Sequence, residues 1–210
     1  MLYYFTPEMV FHKEQVYHRL QIRENTRAFS YVESIFDEIQ ALALKSMDLL
    51  LCYRVFDSAP PLPSSLIKPW KRWVVCLVSC SDRIFQAIQE KMDTGEYLEG
   101  YLLNDISNDV IFNASLQLNQ HIQCQMEKEG FRLSRRFSPG EPPVELETQK
   151  KLLELLLEED ALPVTLNSHY MLQPEKSMLY LFGAGPGAAA EQDENRCASC
   201  SMQSCPYATL

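Results

Sequence analysis

Trp73-Val74-Val75-Cys76-Leu77-Val78 is the stretch on which the fold turns. It is short, apolar, rich in β-branched side chains and bounded on both sides, which predicts a strand. Upstream, Ser58-Ala59-Pro60-Pro61-Leu62-Pro63-Ser64-Ser65 forbids regular structure, because each proline fixes φ and removes a backbone donor. Downstream, Ser81-Asp82 offers an N-cap, and Ile84, Phe85 and Ile88 supply the buried stripe of a helix.

Further out, Val16, Leu20, Phe29, Val32, Ile35, Phe36, Ile39, Leu42 and Leu44 recur at helical steps between His12 and Leu51. Asn25-Thr26 divides that region into a short first helix and a longer second one. Leu49 to Phe56 reads as a strand. Tyr97 to Glu129 is the longest helical stretch, with an interruption around Ser107-Asn108 and a stop at Gly130, a natural residue for the end of a helix. Phe131 to Phe137 alternates loosely and is rich in arginine. Pro139-Gly140-Glu141-Pro142-Pro143 excludes a helix, which restarts at Glu145 and runs to about Glu159. Val164-Thr165-Leu166 and Ser177 to Phe182 read as further strands. Helices mixed with irregularly ordered strands, without strict alternation, predict the α+β class.

The chain has 210 residues, 46% of them hydrophobic, enough to bury a core in one compact domain plus appendages. Its net charge of −9 opposes a general attraction to phosphate backbones, so nucleic acid is not an expected partner. No apolar run approaches the roughly 18 residues of a spanning helix. Met1-Leu2-Tyr3-Tyr4-Phe5 is too short and lacks the basic flank of a signal peptide. A cytoplasmic protein without a membrane segment is expected. Four of the seven cysteines, Cys52, Cys76, Cys80 and Cys124, stand among apolar neighbours, where a reduced thiol acts as a small hydrophobe. Cys197, Cys200 and Cys205 are instead bunched at the end, beyond Gly183-Ala184-Gly185-Pro186-Gly187-Ala188-Ala189-Ala190, a stretch poor in side chains able to build a core. The expected organisation is a domain over 1–182, a Gly/Ala-rich linker over 183–196 and a cysteine tail over 197–210.

Arg136-Phe137-Ser138-Pro139-Gly140 followed by a leucine-rich helix resembles the reactivation domain of vitamin B12-dependent methionine synthase, where an arginine, a short spacer and a Pro-Gly or Cys-Gly step precede a helix. Leu166-Asn167-Ser168-His169-Tyr170-Met171 with Pro174 and Ser177 is similar to that family's Leu-Thr-Glu-Ser-aromatic stretch, proline and serine. Leu98 to Asn113 is similar to a helix of its stand-alone bacterial members. Many of those end in a cysteine tail like Cys197, Cys200, Cys205 and Tyr207. Glu141 stands where the family carries a tyrosine, and Ser168 where it carries an acidic residue.

The resemblance implies mixed helices around a small, mainly antiparallel sheet. It implies a pocket for S-adenosylmethionine, and a partner that holds cobalamin: a B12-dependent methionine synthase or another corrinoid protein. Reactivation there is a reductive methylation of cob(II)alamin, so the chain would take part in a methyltransferase activity while the hard chemistry stays with cobalt and sulfonium. Arg136 would hold the ligand's carboxylate through its planar fork, with Pro139 and Gly140 letting the backbone approach the adenosine. Glu141 would take an anionic role and Tyr170 would lie against the ligand or the corrin. On the residues alone, Arg136 is also readable as a surface arginine beside a turn, and Tyr170 as a core aromatic.

Cys197, Cys200 and Cys205 bring three thiolates within reach of one metal centre, the first pair at a spacing that lets both sulfurs face one ion. An iron–sulfur cluster with an open or borrowed ligand fits, as does zinc with a histidine from elsewhere. A tail of clustered reduced thiols is the other reading. A corrinoid-protein partner or iron–sulfur electron donor without S-adenosylmethionine is the alternative to the accessory reactivation protein.

Overall fold

The computed structural model describes residues 1–58, 60 and 70–186. Their contacts divide into two compact units. The first comprises Met1–Pro7, Leu50–Ser79 and residues 115–186; the second comprises Glu8–Leu49 and Cys80–Ala114.

A five-stranded sheet organises the first unit. Its strands are β1 (Leu2–Phe5), β2 (Leu49–Phe56), β3 (Arg72–Cys80), β4 (Arg132–Leu133) and β7 (Ser177–Gly185), in the order β1-β2-β3-β7-β4. The pairs β1/β2, β3/β7 and β4/β7 are antiparallel. Strand β3 is the stretch read first in the sequence, and Trp73 through Cys80 are all buried. Burial on both faces explains why that stretch is continuously apolar rather than alternating. Trp73, Val75 and Leu77 join Cys52, Leu179 and Leu181 in one cluster with Leu152, Leu153 and Leu156 of helix α5 (Thr148–Leu157). Each fully buried leucine there contributes roughly 1.5–3 kcal/mol of transfer free energy. The opposite face of the sheet carries Val74 across from Phe182 and Cys76 across from Tyr180. The Tyr180 hydroxyl donates to Asn119 Oδ1 at 2.9 Å on helix α4 (Tyr97–Lys128). A small hairpin, β5 (Thr165–Leu166) and β6 (Leu172–Gln173), completes the unit.

Helices α1 (Lys13–Arg19), α2 (Phe29–Ser46), α3 (Arg83–Asp93) and the first part of α4 build the second unit, with α2 packed on α3. Tyr17 meets Phe36 edge-on at 5.3 Å, and Phe11 lies 6.1 Å from the same ring. Arg19 is buried with Asp105 and Asp109: its Nη2 lies 2.8 Å from Asp105 Oδ2 and 2.9 Å from Asp109 Oδ1. Burial alone would lower the proton affinity of that guanidinium, but the hydrogen bonds and charges of the two carboxylates outweigh it and raise its pKa.

The α+β expectation and its mainly antiparallel sheet hold, with local corrections. Helix α4 is unbroken at Ser107-Asn108, because the buried Ser107 hydroxyl donates to the Asn104 carbonyl at 2.9 Å and is satisfied within its own helix. Helix α5 is shorter than the Glu145–Glu159 reading. At its entry, Thr148 and Gln149 donate to the carbonyls of Glu145 and Leu146 three residues back, which makes a tighter turn than an α-helix. Strand β1, unread in the sequence, is held by register pairing with β2. Strand β7 runs past Phe182 to Gly185, and Ala184 is fully buried. Gly183 is needed there because a Cβ would stand 2.3 Å from Trp70 Cγ, so the indole occupies the space a side chain would take. Of the four scattered cysteines, Cys52, Cys76 and Cys80 are buried as expected, whereas Cys124 is exposed on α4. The remaining linker residues from 187 onward, and the cysteine tail, lie outside the described residues.

Candidate functional site

The segment after β4 is stitched to β7 at two places. Ser134 N–H donates to the Gly183 carbonyl at 2.8 Å, and Gly183 N–H donates to the Ser134 hydroxyl at 2.9 Å. Phe137 and Leu181 exchange backbone hydrogen bonds of 2.9 Å in both directions. Arg135 and Arg136 sit between these two fastenings. Phe137 turns into the α5-side cluster, its ring 6.4 Å from that of Trp73. Arg136 lies on the other face, with its guanidinium carbon 4.8 Å from the centre of the Tyr180 ring. Tyr180 is itself buried, packed edge-on against Phe182 at 5.7 Å and tethered through its hydroxyl to Asn119.

Burial pushes the Cys76 thiol well above the ordinary thiol range, with Cys52 adding to the rise and the charge of Arg136 opposing it. Cys52 is raised to about 12, by burial first and by the charge of Asp160 second. Both therefore stay protonated near neutral pH and are poor nucleophiles.

Pro139 and Gly140 form the turn that leads toward α5. Glu141 N–H donates to the Ser138 carbonyl at 3.0 Å, Val144 N–H to Glu141 O at 2.9 Å, and Gly140 N–H to Val144 O at 2.9 Å. Gly140 has φ +89°, a conformation that penalises any side chain, and Leu146 Cδ1 would lie 3.4 Å from an added Cβ. Glu141 is exposed. Tyr170, half-buried with φ +60°, closes the β5–β6 hairpin. Its N–H donates to Asn167 O at 3.1 Å, and its carbonyl accepts from the Gln149 side chain of α5. Phe137, Val144 and Leu172 belong to one core cluster, so the Pro-Gly turn and the hairpin are anchored in common.

Tyr180 and Asn119 were not among the residues singled out from the sequence. The signal was present: Tyr180 and Phe182 alternate with Leu179 and Leu181, and a buried phenol requires a hydrogen-bond partner. The acidic end of α5, readable as a solvated face, is engaged by Arg54, whose guanidinium lies 3.1 Å from Glu158 and 3.0 Å from Glu159. An open depression of 380 Å³ on α3, lined by Phe85, Gln86, Gln89, Glu90, Asp93 and Thr94, contains none of the expected site residues.

Among the described residues no group of three or more His, Cys, Asp or Glu side chains is placed to hold a metal ion. Cys197, Cys200 and Cys205, the expected metal ligands, lie outside them. No helix among the described residues is long and apolar enough to cross a membrane. No protein-family model and no curated protein matches the chain. Among solved structures, the crystal structure of the MetH reactivation domain bound to AdoHcy is similar, with a TM-score of 0.56 and 10% sequence identity over 80% of this chain and 70% of that one. The protein therefore shares the fold of that reactivation domain.

Proposed function

We propose that this protein is an accessory reactivation factor for a cobalamin-dependent methionine synthase, holding S-adenosylmethionine while the partner's oxidised cobalamin is restored. The observation that carries the reading is the likeness in fold to a reactivation domain whose structure contains AdoHcy, the demethylated form of that methyl donor. In such a reaction an external reductant gives one electron to cob(II)alamin, and the sulfonium gives up its methyl group, leaving S-adenosylhomocysteine. This chain's residues then have to bind and orient, with no acid–base pair required.

The residues fit that task. Arg136 presents a planar cation suited to a carboxylate, from a backbone fastened to β7 on both sides. Pro139 and Gly140 form the turn three residues further on, where Gly140 leaves the backbone without a Cβ, and the exposed Glu141 would meet the ligand's ammonium group or ribose. Tyr170 supplies an aromatic surface on the hairpin. Calorimetric titration with S-adenosylhomocysteine tests the ligand, and capture of a cobalamin-loaded methionine synthase on the immobilised protein tests the partner. Heat from the ligand and retention of the enzyme are expected; a flat titration up to millimolar ligand together with no retention sinks the reading.

The spacing of Cys197, Cys200 and Cys205 favours a second reading, a corrinoid-protein partner that delivers electrons from an iron–sulfur cluster on its tail. Anaerobic purification distinguishes the two. A brown protein with charge-transfer absorption supports the electron donor, and a colourless protein containing only zinc removes it.

A further inference from the structure

Tyr170 keeps a side chain where the backbone disfavours one. Its φ of +60° lies in the left-handed region, which glycine and asparagine enter readily and a bulky side chain does not. The conformation persists because the hydrogen bonds around it dictate it. Tyr170 N–H donates to Asn167 O at 3.1 Å, and Asn167 Oδ1 accepts the N–H groups of His169 at 2.8 Å and Met171 at 3.0 Å. A further tie comes from outside the hairpin: the side-chain amide of Gln149, buried in the first turn of α5, donates to the Tyr170 carbonyl. None of these bonds uses the tyrosine ring. Among the described residues the Tyr170 hydroxyl has no hydrogen-bond partner and the ring meets no other ring and no cation, whereas Tyr17, Tyr31 and Tyr180 give their hydroxyls to Glu33, Glu99 and Asn119. The fold therefore bears the strain of a side chain at this position and makes no polar or aromatic use of it.

We propose that Gln149 is a positioning residue: by holding the Tyr170 carbonyl it fixes the tip of the β5–β6 hairpin so that the half-buried ring offers a stacking face to the adenine of the ligand. This inference rests on the reading of the site as one for an S-adenosyl compound. An aromatic face recognises a planar base by stacking, a contact that asks neither charge nor hydrogen bond of the ring. Gln149 acts on the ligand only through Tyr170, so its removal has no effect of its own once the ring is gone.

The test is calorimetric titration of the full chain with S-adenosylhomocysteine and with methylthioadenosine, which keeps the adenosine and the sulfur but lacks the amino-acid end. Tyr170→Asn, whose new side chain accepts the left-handed backbone, is expected to weaken both ligands about tenfold. Tyr170→Phe, which keeps the ring, is expected to stay within about twofold of the native chain. Gln149→Met, which keeps the length of the side chain and removes its donor, is expected to weaken both ligands about threefold, and to add less than about 1.5-fold when Tyr170→Asn is already present. Gln149→Asn, one methylene shorter, takes its place if Gln149→Met does not fold. A full threefold loss from the Gln149 variant on top of Tyr170→Asn marks a purely structural role and overturns the positioning. Unchanged binding in Tyr170→Asn, or a loss confined to S-adenosylhomocysteine, overturns the contact with adenine while leaving the ligand reading intact. A wild-type chain that takes up neither ligand overturns the ligand reading and the inference with it.

Discussion

Arg19 in the helical unit and Arg136 in the sheet unit both carry a positive charge onto a largely covered surface, and the two are supported in different ways. Arg19 is enclosed with two carboxylates, one of which also accepts the backbone N–H of His12 at 2.7 Å, and this cluster fastens α1 to α4. Arg136 lies over the Tyr180 ring, four residues before the turn at Gly140. The first arrangement has the chemistry of a structural clamp, since removing Arg19 leaves two buried carboxylates together, and removing Asp109 takes an acceptor from both Arg19 and the His12 N–H. The second sets a cation over the ring of a buried, tethered tyrosine. One fold therefore uses the same residue type for stability in one unit and, on the reading proposed above, for recognition in the other.

The comparison breaks most visibly at Asp109. Asp109→Ala is expected to lower unfolding free energy in urea by about 3–5 kcal/mol, because two buried donors, one of them charged, lose their acceptor. A loss under about 1 kcal/mol removes the clamp. Tyr180→Leu is expected to cost less, about 1–3 kcal/mol, from a lost hydrogen bond, a lost cation–ring contact and imperfect repacking. If its cost equals that of Asp109→Ala, Arg136 is a structural clamp too and the contrast collapses.

Alkaline pH leaves both arginines charged, while the thiols that the fold keeps protonated ionise on unfolding. Cys52 binds its proton more tightly folded than unfolded, with its pKa raised to about 12, and Cys76 is shifted in the same direction. Their contribution is fully present below the unfolded thiol pKa near 8.5 and is lost as pH rises toward the folded value. The expected decline is about 1–2 kcal/mol per thiol between pH 8.5 and 10 in urea melts, and Cys52→Ala should remove its share. An unchanged slope in that variant excludes the thiol as the cause. The smallest effect belongs to the exposed pair of Arg83 with Asp48: Arg83→Ala should move the urea midpoint by an amount equivalent to less than about 1 kcal/mol, and less still in high salt.

Much of the scaffold was readable in order along the chain. The β3 run, the division of the N-terminal region into two helices near Asn25-Thr26, the stop at Gly130 and the leucine helix after Pro143 all appear where the periodicity and punctuation put them. Two local expectations failed for a local reason. Ser107-Asn108 carries break-forming residues, yet Ser107 folds its hydroxyl back on the helix, and Gly183-Ala184-Gly185 has linker composition, yet its smallness accommodates Trp70. Composition reports what a residue can do, and the neighbour decides which option is taken.

By itself the sequence determined most of the elements, the α+β class and the helix-free Pro-Gly segment, because these depend on spacing, β-branching and backbone freedom within a few residues. Only the tertiary structure decided that Arg136 lies on Tyr180, that Tyr180 is tethered to Asn119, and that Arg19 meets Asp105 and Asp109. These partners are 44 to 90 residues apart in the chain. A polar side chain's local pattern says which face it occupies, and its partner is set only when the sheet register and helix packing bring a distant element opposite to it.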